Sequence, residues 1–167
     1  MFCRRLSPVF RGNLKPEMPE STITLHQITA AEAIPIRAEV LRSGLPLSAA
    51  SYICDEHPAV YHAGAYVDGK LIGVATVFPD LPPKSENELA WRLRGMAVCD
   101  NFRGLGIGRL LLGNCIEHVG EMGGNLLWCN ARTPVLEFYS VMGFHPVGDE
   151  FMIPVSGPHY LMSRKIS

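Results

Sequence analysis

The stretch RGLGIGRLLL, residues 103–112, places three glycines within five residues directly before an apolar helical run. Each glycine costs free energy of folding, because glycine loses more backbone freedom than any other residue. A glycine-rich turn that enters a helix also gathers unpaired backbone N–H groups and the positive end of the helix dipole at one point, and such a point binds phosphate. We therefore expect an anion site here, with an ordinary tight turn as the alternative.

Comparison with known phosphate-binding motifs shows which kind of anion site this stretch could form. The stretch lacks the Gly-Lys-Ser/Thr ending of a nucleotide P-loop, and its glycines, followed by Arg109, do not complete the dinucleotide fingerprint. A hairpin predicted upstream also argues against a parallel βαβ unit. The pattern that fits is Gln/Arg-x-x-Gly-x-Gly/Ala, with Arg103, Gly106 and Gly108 at its defined positions.

Composition and charge exclude several classes of protein. The chain has 167 residues, of which 47% are hydrophobic and 19% charged, enough apolar material for the core of one compact domain. No apolar stretch approaches the roughly 20 residues that span a bilayer. A formal net charge of -1 offers no basic field for nucleic acid or for an anionic membrane. We expect neither as a partner, so any anion must be bound locally.

Cysteine and histidine patterns predict neither a disulfide framework nor a metal site. The five cysteines are odd in number and form no Cys-x-x-Cys pair, which predicts free thiols in a reducing compartment, the cytoplasm. His57 and His62, five residues apart, do not have the spacing of zinc ligands, and we expect no metal.

Residues 1–16, MFCRRLSPVFRGNLKP, differ from the rest of the chain. They include four basic residues, two prolines and no acid. Their apolar run is too short for a secretory signal and they lack an amphipathic period, so a flexible tail is predicted over a transit peptide. We divide the chain into a flexible extension, residues 1–20, and a single domain, residues 21–167; Met18 would serve as an alternative start.

Hydrophobic periodicity predicts the element order β, α, hairpin, β, α, β, α, β, β. The clearest signal is the hairpin, in which Asp68-Gly69 separates two β-rich runs. Apolar residues at spacings of three and four after the glycine stretch predict a helix that ends near Gly123. Thr29 is a candidate N-cap of the first predicted helix, and Thr133 and Pro134 have the residue types of the N-cap and first position of a last helix. The predicted segments are residues 22–28, 29–44, 59–67, 71–78, 89–98, 107–122, 125–131, 133–143, 144–153 and 158–166.

Two motifs resemble the signatures of the GNAT superfamily of N-acyltransferases. The glycine stretch, between a predicted strand and a leucine-rich helix, resembles the superfamily's acyl-CoA-binding motif. VLEFYSVMGF, residues 135–144, is similar to its second motif, a helix that bears a tyrosine, here Tyr139, before a strand that starts at Gly-Phe. The resemblance covers about residues 22–166. It implies an α/β (α+β) fold with a mixed, mostly antiparallel central sheet of six to seven strands flanked by helices, in which a splayed strand pair forms an acyl-CoA cleft.

The resemblance also implies acetyl-CoA as a cosubstrate. Backbone amides of the glycine stretch would hold its pyrophosphate, and the pantetheine arm would lie along the edge of the preceding strand. Asn130 would hydrogen-bond the pantetheine or the acceptor, and Tyr139 would protonate the departing thiolate. The residues implied in acetyl-CoA binding are Met96, Ala97, Val98, Arg103, Gly104, Leu105, Gly106, Ile107, Gly108, Arg109, Asn130 and Tyr139.

The acceptor side departs from the family pattern. Strand alternation places Glu88, Arg92, Arg94 and Met96 on one face, so two arginines stand where many relatives have an acidic base. Arginine cannot be that base. Facing the cleft, Arg92 and Arg94 would bind a carboxylate or phosphate of the acceptor; facing solvent, they would contribute little. Glu88, acting through water, is the carboxylate that we expect to serve as base.

The motifs favour an enzyme, an acyl-CoA-dependent N-acetyltransferase. The expected reaction is direct attack, in a ternary complex, by a primary amine of a small, carboxylate-bearing acceptor on acetyl-CoA. The alternative is a non-catalytic acyl-CoA sensor or a partner-binding module of the same fold. Tyr139 favours the enzyme, because a sensor does not need a phenol at the thiolate position. A homodimer is compatible with the fold class, although no residue pattern identifies its interface.

Overall fold

The computed structural model describes residues 22–167. The predicted extension, residues 1–20, and Cys3 within it lie outside the described residues. The strands are β1 (Ile23–Ile28), β2 (Tyr61–Val67), β3 (Lys70–Pro79), β4 (Ala90–Val98), β5 (Leu126–Arg132), β6 (His145–Ile153) and β7 (Gly157–Lys165). The helices are α1 (Ala30–Leu41), α2 (Ile107–Glu121) and α3 (Leu136–Val141), and short 3-10 helices occupy Leu47–Ala50, Ile53–Glu56, Asp100–Phe102 and Thr133–Val135.

These strands form one sheet in the order β1-β2-β3-β4-β5-β7-β6. Neighbouring strands are antiparallel except β4 and β5, which are parallel. Helix α1 packs on one face of the sheet in a small cluster with Ala33 and Val74. Helices α2 and α3 pack on the other face in the main core, which includes Leu111 and Phe144. The predicted mixed, mostly antiparallel sheet flanked by helices is confirmed.

Two local predictions from the first half of the chain are confirmed. Val67 pairs with Lys70 across Asp68 and Gly69, whose φ angles of 50° and 76° are both positive, as a tight hairpin turn requires. Thr29 caps α1 through a capping box with Glu32, whose carboxylate accepts from the Thr29 N–H at 2.8 Å. None of the helices between residues 22 and 167 has both the length and the apolar character of a membrane crossing.

The start of the last helix differs from its prediction. Thr133 is not an N-cap: it opens the 3-10 helix Thr133–Val135, and its hydroxyl donates to Glu150 Oε1 at 2.7 Å. Helix α3 begins only at Leu136. The local residue types gave no sign of this, because the competing partner of Thr133 lies on β6 and is brought close only by the fold.

A β-bulge in β4 overturns the predicted alternation along that strand. Arg94 pairs with Thr76 of β3, whereas Ala97 pairs with Val74, so β4 has one residue more than its partner between these pairs. Gly95, inside the bulge, has a φ of 61°. Beyond the bulge the faces are exchanged, and Met96 packs on the α2 core. The prediction that Met96 shares a face with Arg92 and Arg94 is therefore wrong, because simple alternation assumes an unbroken pleat.

Candidate active site

A cleft opens where β4 and β5 separate. Their parallel pairing ends at Arg92 and Trp128, although both strands continue further. The cleft has a volume of about 960 Å³. Its walls include residues 93–98 of β4, residues 129–132 of β5, the glycine stretch, and the side chains of Phe138 and Tyr139 on α3. Because the facing strand edges are not paired with one another here, their N–H and C=O groups are available to a ligand that lies between them.

The glycine stretch forms the mouth of the cleft at the N-terminus of α2. Gly104 and Gly106 have φ angles of 75° and 83°, which favour glycine. A Cβ atom added to either residue would meet nothing within 4 Å, so the space in front of the helix is open. Gly106 is the N-cap and supplies no side-chain partner for the first amides of α2. An anion fits this position, since those amides and the helix dipole point toward it.

Most of the residues implied in acetyl-CoA binding lie together in this cleft. Leu105 is the exception, because its side chain is exposed and outside the lining. The side chain of Arg103 pairs with Asp100 at 3.0 Å and donates to the Val98 carbonyl, so it braces the turn before the glycines. The lining residues from that set are Met96, Ala97, Val98, Arg103, Gly104, Gly106, Ile107, Gly108, Arg109, Asn130 and Tyr139.

Tyr139 is buried between aromatic rings beside the cleft. It makes edge contacts with Phe138 and Phe144, at ring-centroid distances of 5.1 and 5.6 Å. Burial, together with the neighbouring Cys129 thiol, raises the pKa of Tyr139, so the phenol keeps its proton at neutral pH. Burial also raises the pKa of Cys129 to about 12, so this thiol is not a thiolate nucleophile. The site therefore offers a proton donor and no activated cysteine.

Cationic side chains border the cleft on the face of the sheet opposite to that of Tyr139. The Arg94 guanidinium lies 4.3 Å from the centroid of the Tyr52 ring, and the Arg92 guanidinium lies 4.5 Å from that of Trp128. Arg92 also donates to Asp80 Oδ2 at 3.2 Å. Arg94 has no carboxylate within ion-pair distance among residues 22–167. Both arginines thus border the cleft, and Arg94 is available to an anionic group.

A buried polar network holds Tyr52 in place. Arg37 of α1 is fully buried and donates to both Asp55 oxygens, at 2.8 and 3.0 Å, and to Thr76 Oγ1 at 2.6 Å. Asp55 Oδ2 in turn accepts from the Tyr52 N–H at 2.9 Å. Burial and the nearby Arg37 charge lower the pKa of His62, which keeps that imidazole neutral. Sequence reasoning missed this network; its one signal was an arginine inside the apolar helix pattern AEAIPIRAEVL.

His159 is a further cleft residue that sequence reasoning missed. It is 4% exposed, lines the cleft, and pairs in register with Arg132 of β5. Its Nδ1 lies 2.7 Å from the Gly157 carbonyl oxygen. The pattern PHYLMSRK predicts a strand, and nothing local distinguishes a histidine at its start from a strand-edge residue.

Comparison with known proteins identifies the family to which this chain belongs. A family model described as "Acetyltransferase (GNAT) family" matches residues 27–144. The chain belongs to the GNAT acetyltransferase family. It is 31% identical, over 139 residues, to the uncharacterized N-acetyltransferase YitI of Bacillus subtilis (strain 168), an alignment that covers 83% of this chain and 93% of that protein.

Solved structures share the GNAT fold. A putative N-acetyltransferase from Lactobacillus plantarum superposes with a TM-score of 0.72 at 16% identity, covering 87% of this chain and 99% of that one. An aminoglycoside 6′-N-acetyltransferase complexed with coenzyme A superposes with a TM-score of 0.70 at 15% identity, covering 86% and 97%. At these identities the likeness establishes the fold alone.

The structure does not bring Glu88 to the GNAT cleft. Glu88 is exposed and precedes β4 at the end where β4 and β5 are still paired, so the strand carries it away from the point of separation. Its expected role as the base therefore has no geometric support. Among the residues that the structure describes, no Asp or Glu lines the cleft. In the described part of the chain, no three His, Cys, Asp or Glu side chains lie close enough together to hold a metal ion.

Proposed function

We propose that this GNAT protein transfers the acetyl group of acetyl-CoA to the primary amine of a small, carboxylate-bearing acceptor by direct attack in a ternary complex. The observation that carries the proposal is a single cleft whose two ends differ chemically. One end is the open, amide-lined N-terminus of α2, and the other is bordered by Arg94, which has no carboxylate of residues 22–167 within ion-pair distance. The first end suits a diphosphate and the second suits a carboxylate.

Backbone groups account for most of the acetyl-CoA contacts that we propose. The amides from Arg103 to Arg109 hold the pyrophosphate, and residues 96–98 of β4 offer a free strand edge to the pantetheine arm. The open space in front of Gly104 and Gly106 is what a bound diphosphate requires, since a side chain there would fill it. The coenzyme A complex of the aminoglycoside acetyltransferase, which has the same fold, supports this assignment.

The reaction uses the two faces of the sheet. The amine attacks the thioester carbon, and an N–H of the β4 bulge, at Gly95 or Met96, donates to the developing oxyanion. Tyr139 then gives its proton to the departing thiolate, since burial keeps the phenol protonated until that step. Because Cys129 remains a thiol, the acetyl group passes directly to the amine rather than through an acyl-cysteine.

Arg94, on the acceptor side of the cleft, favours an acceptor that carries a carboxylate. Arg94 is held over Tyr52 with no acidic partner, and Arg92 is already paired with Asp80. A carboxylate on the acceptor would complete the pairing of Arg94, whereas a polycationic acceptor would be repelled. Asn130, which alternates along β5 with the core residues Cys129 and Ala131, lies on this same face and is available to hydrogen-bond the acceptor.

The test compares each L-amino acid with its own carboxamide, following release of free thiol from acetyl-CoA. We expect turnover with some amino acids and kcat/KM values about tenfold or more lower for the matching carboxamides, because a charged hydrogen bond to Arg94 is lost. Equal rates within such pairs would refute the carboxylate preference. Acetyl-CoA binding without thiol release for any amine would instead favour the non-catalytic sensor.

A further inference from the structure

The proposed reaction needs a group that removes a proton from the acceptor, since an alkylamine is mostly an ammonium ion at neutral pH. No carboxylate of residues 22–167 lines the cleft. In this part of the chain, the ionisable residues that line it are six arginines, two tyrosines, one cysteine and one histidine. Arginine cannot accept a proton, and burial keeps Tyr139 and Cys129 protonated. The histidine, His159, is the lining side chain with a ring nitrogen that can accept a proton.

A hydrogen bond sets the tautomer of His159. Its Nδ1 lies 2.7 Å from the Gly157 carbonyl oxygen, and a carbonyl oxygen can only accept. Nδ1 therefore carries the hydrogen, and the neutral ring keeps a lone pair on Nε2. Within residues 22–167, no hydrogen-bond partner occupies that Nε2. An imidazole fixed in this way is prepared to accept a proton at one defined atom.

The strand register places His159 on the acceptor face of the sheet. Across the β5–β7 pair, His159 is opposite Arg132, Leu161 is opposite Asn130, and Met162 is opposite Cys129. Met162 and Cys129 belong to the α2 core, so His159 and Asn130 lie on the other face, which Arg92 and Arg94 share. Tyr139 approaches the cleft from the core face.

Among residues 22–167, the charged residues that line the cleft with His159 are arginines. Its partner on β6 is Phe151, with ring centroids 6.1 Å apart, and the neighbouring Glu150 accepts a hydrogen bond from Thr133. His159 pairs in register with Arg132 of β5, and Arg92 and Arg94 of β4 line the same cleft. No acid therefore competes with His159 for the acceptor's proton among the residues that line the cleft.

We infer that His159 is the general base of the reaction proposed above, on which this inference rests. The ammonium gives one proton to Nε2 of His159, which passes it to water. The freed lone pair forms the C–N bond, and collapse of the tetrahedral intermediate breaks the C–S bond. The thiolate takes the proton of Tyr139, and the second proton lost by the nitrogen returns through solvent to Tyr139. The products are the amide, the free thiol and one proton released.

The test uses His159→Asn in the full chain, because asparagine keeps an N–H donor for the Gly157 carbonyl but has no basic nitrogen. His26→Asn, at an exposed histidine on β1, is the matched control. The probe is the amino acid that the unaltered protein acetylates fastest, with thiol release measured over a range of pH. We expect His159→Asn to lower kcat about 100-fold and to leave the Kd for acetyl-CoA unchanged. His26→Asn should leave both kcat and this Kd unchanged.

Two further readouts separate a base from a structural residue. Added imidazole should restore part of the lost rate of His159→Asn. The kcat/KM of this variant should also rise about tenfold per pH unit near neutrality, since it can use only the uncharged fraction of the amine. A variant that keeps its kcat, or loses it without rescue and without a changed pH slope, would overturn the inference. Failure of the unaltered protein to acetylate any amino acid would overturn the proposed function, and His159 as its base with it.

Discussion

The two halves of the cleft are built in different ways. The cofactor half, where we propose that acetyl-CoA binds, consists of residues 96–98 of β4 and the glycine stretch that enters α2, all within one short run of sequence. The acceptor half, where we propose that the amine binds, consists of Tyr52, Arg94, Asn130 and His159, which come from four separate parts of the chain. The first half presents backbone groups, whereas the second presents side chains. The cofactor half can therefore be predicted from a motif, and the acceptor half depends on how distant elements pack.

The β4 bulge joins these two halves. On one side of Gly95, β4 directs Arg94 toward Tyr52, and on the other side it leads into the cofactor half. A Cβ atom at Gly95 would lie 2.8 Å from Arg37 Nε and 2.8 Å from a ring carbon of Tyr52. The acceptor half therefore needs a glycine at this position for close packing as well as for its φ of 61°.

The largest effect on stability is expected for a substitution in the buried ion pair between Arg37 and Asp55, which supports the acceptor half. Asp55→Ala would leave the fully buried Arg37 without its counter-charge and lower the free energy of unfolding by about 3–5 kcal/mol. Asp100→Ala, which removes an exposed pair with Arg103, should cost no more than about 1 kcal/mol. Denaturant titration measures both. Equal losses would mean that the network does not support the acceptor half as we describe.

Tyr139→Phe tests the proposed proton donor that lines the cleft. The variant keeps the buried ring but loses the phenolic proton, so we expect kcat to fall about 100-fold with the Kd for acetyl-CoA unchanged. Tyr160→Phe is the control, because Tyr160 packs against the same core but does not line the cleft. A Tyr139→Phe enzyme with normal kcat would remove Tyr139 from the mechanism.

Arg94→Gln should weaken only the acceptor half. Loss of the cation that has no acidic partner should raise KM for a carboxylate-bearing amine about tenfold, while the Kd for acetyl-CoA stays the same. Arg92→Gln should raise KM less, because Asp80 already neutralises Arg92. A larger effect at Arg92 than at Arg94 would show that the acceptor's anionic group lies nearer the Trp128 side.

The smallest effect is expected at Glu88. Glu88→Gln changes an exposed carboxylate at the paired end of β4 and β5, so kcat/KM should remain within about twofold of the unaltered value. Steady-state kinetics with the same amine provide the measurement. A much greater loss would mean that Glu88 acts on the cleft from a distance and that the separation of the two halves is incomplete.

The sequence predicts the fold and locates the glycine stretch at the start of α2 because their determinants are local. Three features depend only on residues that are close in sequence: the Asp68-Gly69 turn, the Thr29 cap and the glycine stretch. The prediction of a regular β4 missed the bulge at Gly95, because alternation assumes an unbroken pleat although an interior glycine often marks a bulge.

The determinants of the acceptor half are distant in sequence. Arg37 finds Asp55 and Thr76 only after α1 packs on the sheet. His159 reaches the cleft only because β7 pairs with β5. Alternation along β4 correctly placed Arg92 and Arg94 together but could not tell which end of the strand meets the cleft, and so it favoured Glu88.

The most direct test is calorimetric titration of the unaltered protein, Gly106→Trp and Gly123→Trp with acetyl-CoA. These glycines lie at opposite ends of α2, have φ angles of 83° and 79°, and both face open space, so the two substitutions carry similar backbone strain. We predict one-to-one binding that Gly106→Trp abolishes and Gly123→Trp retains, because only Gly106 borders the cleft. Absence of binding to the unaltered protein, or equal binding by both variants, would contradict the account.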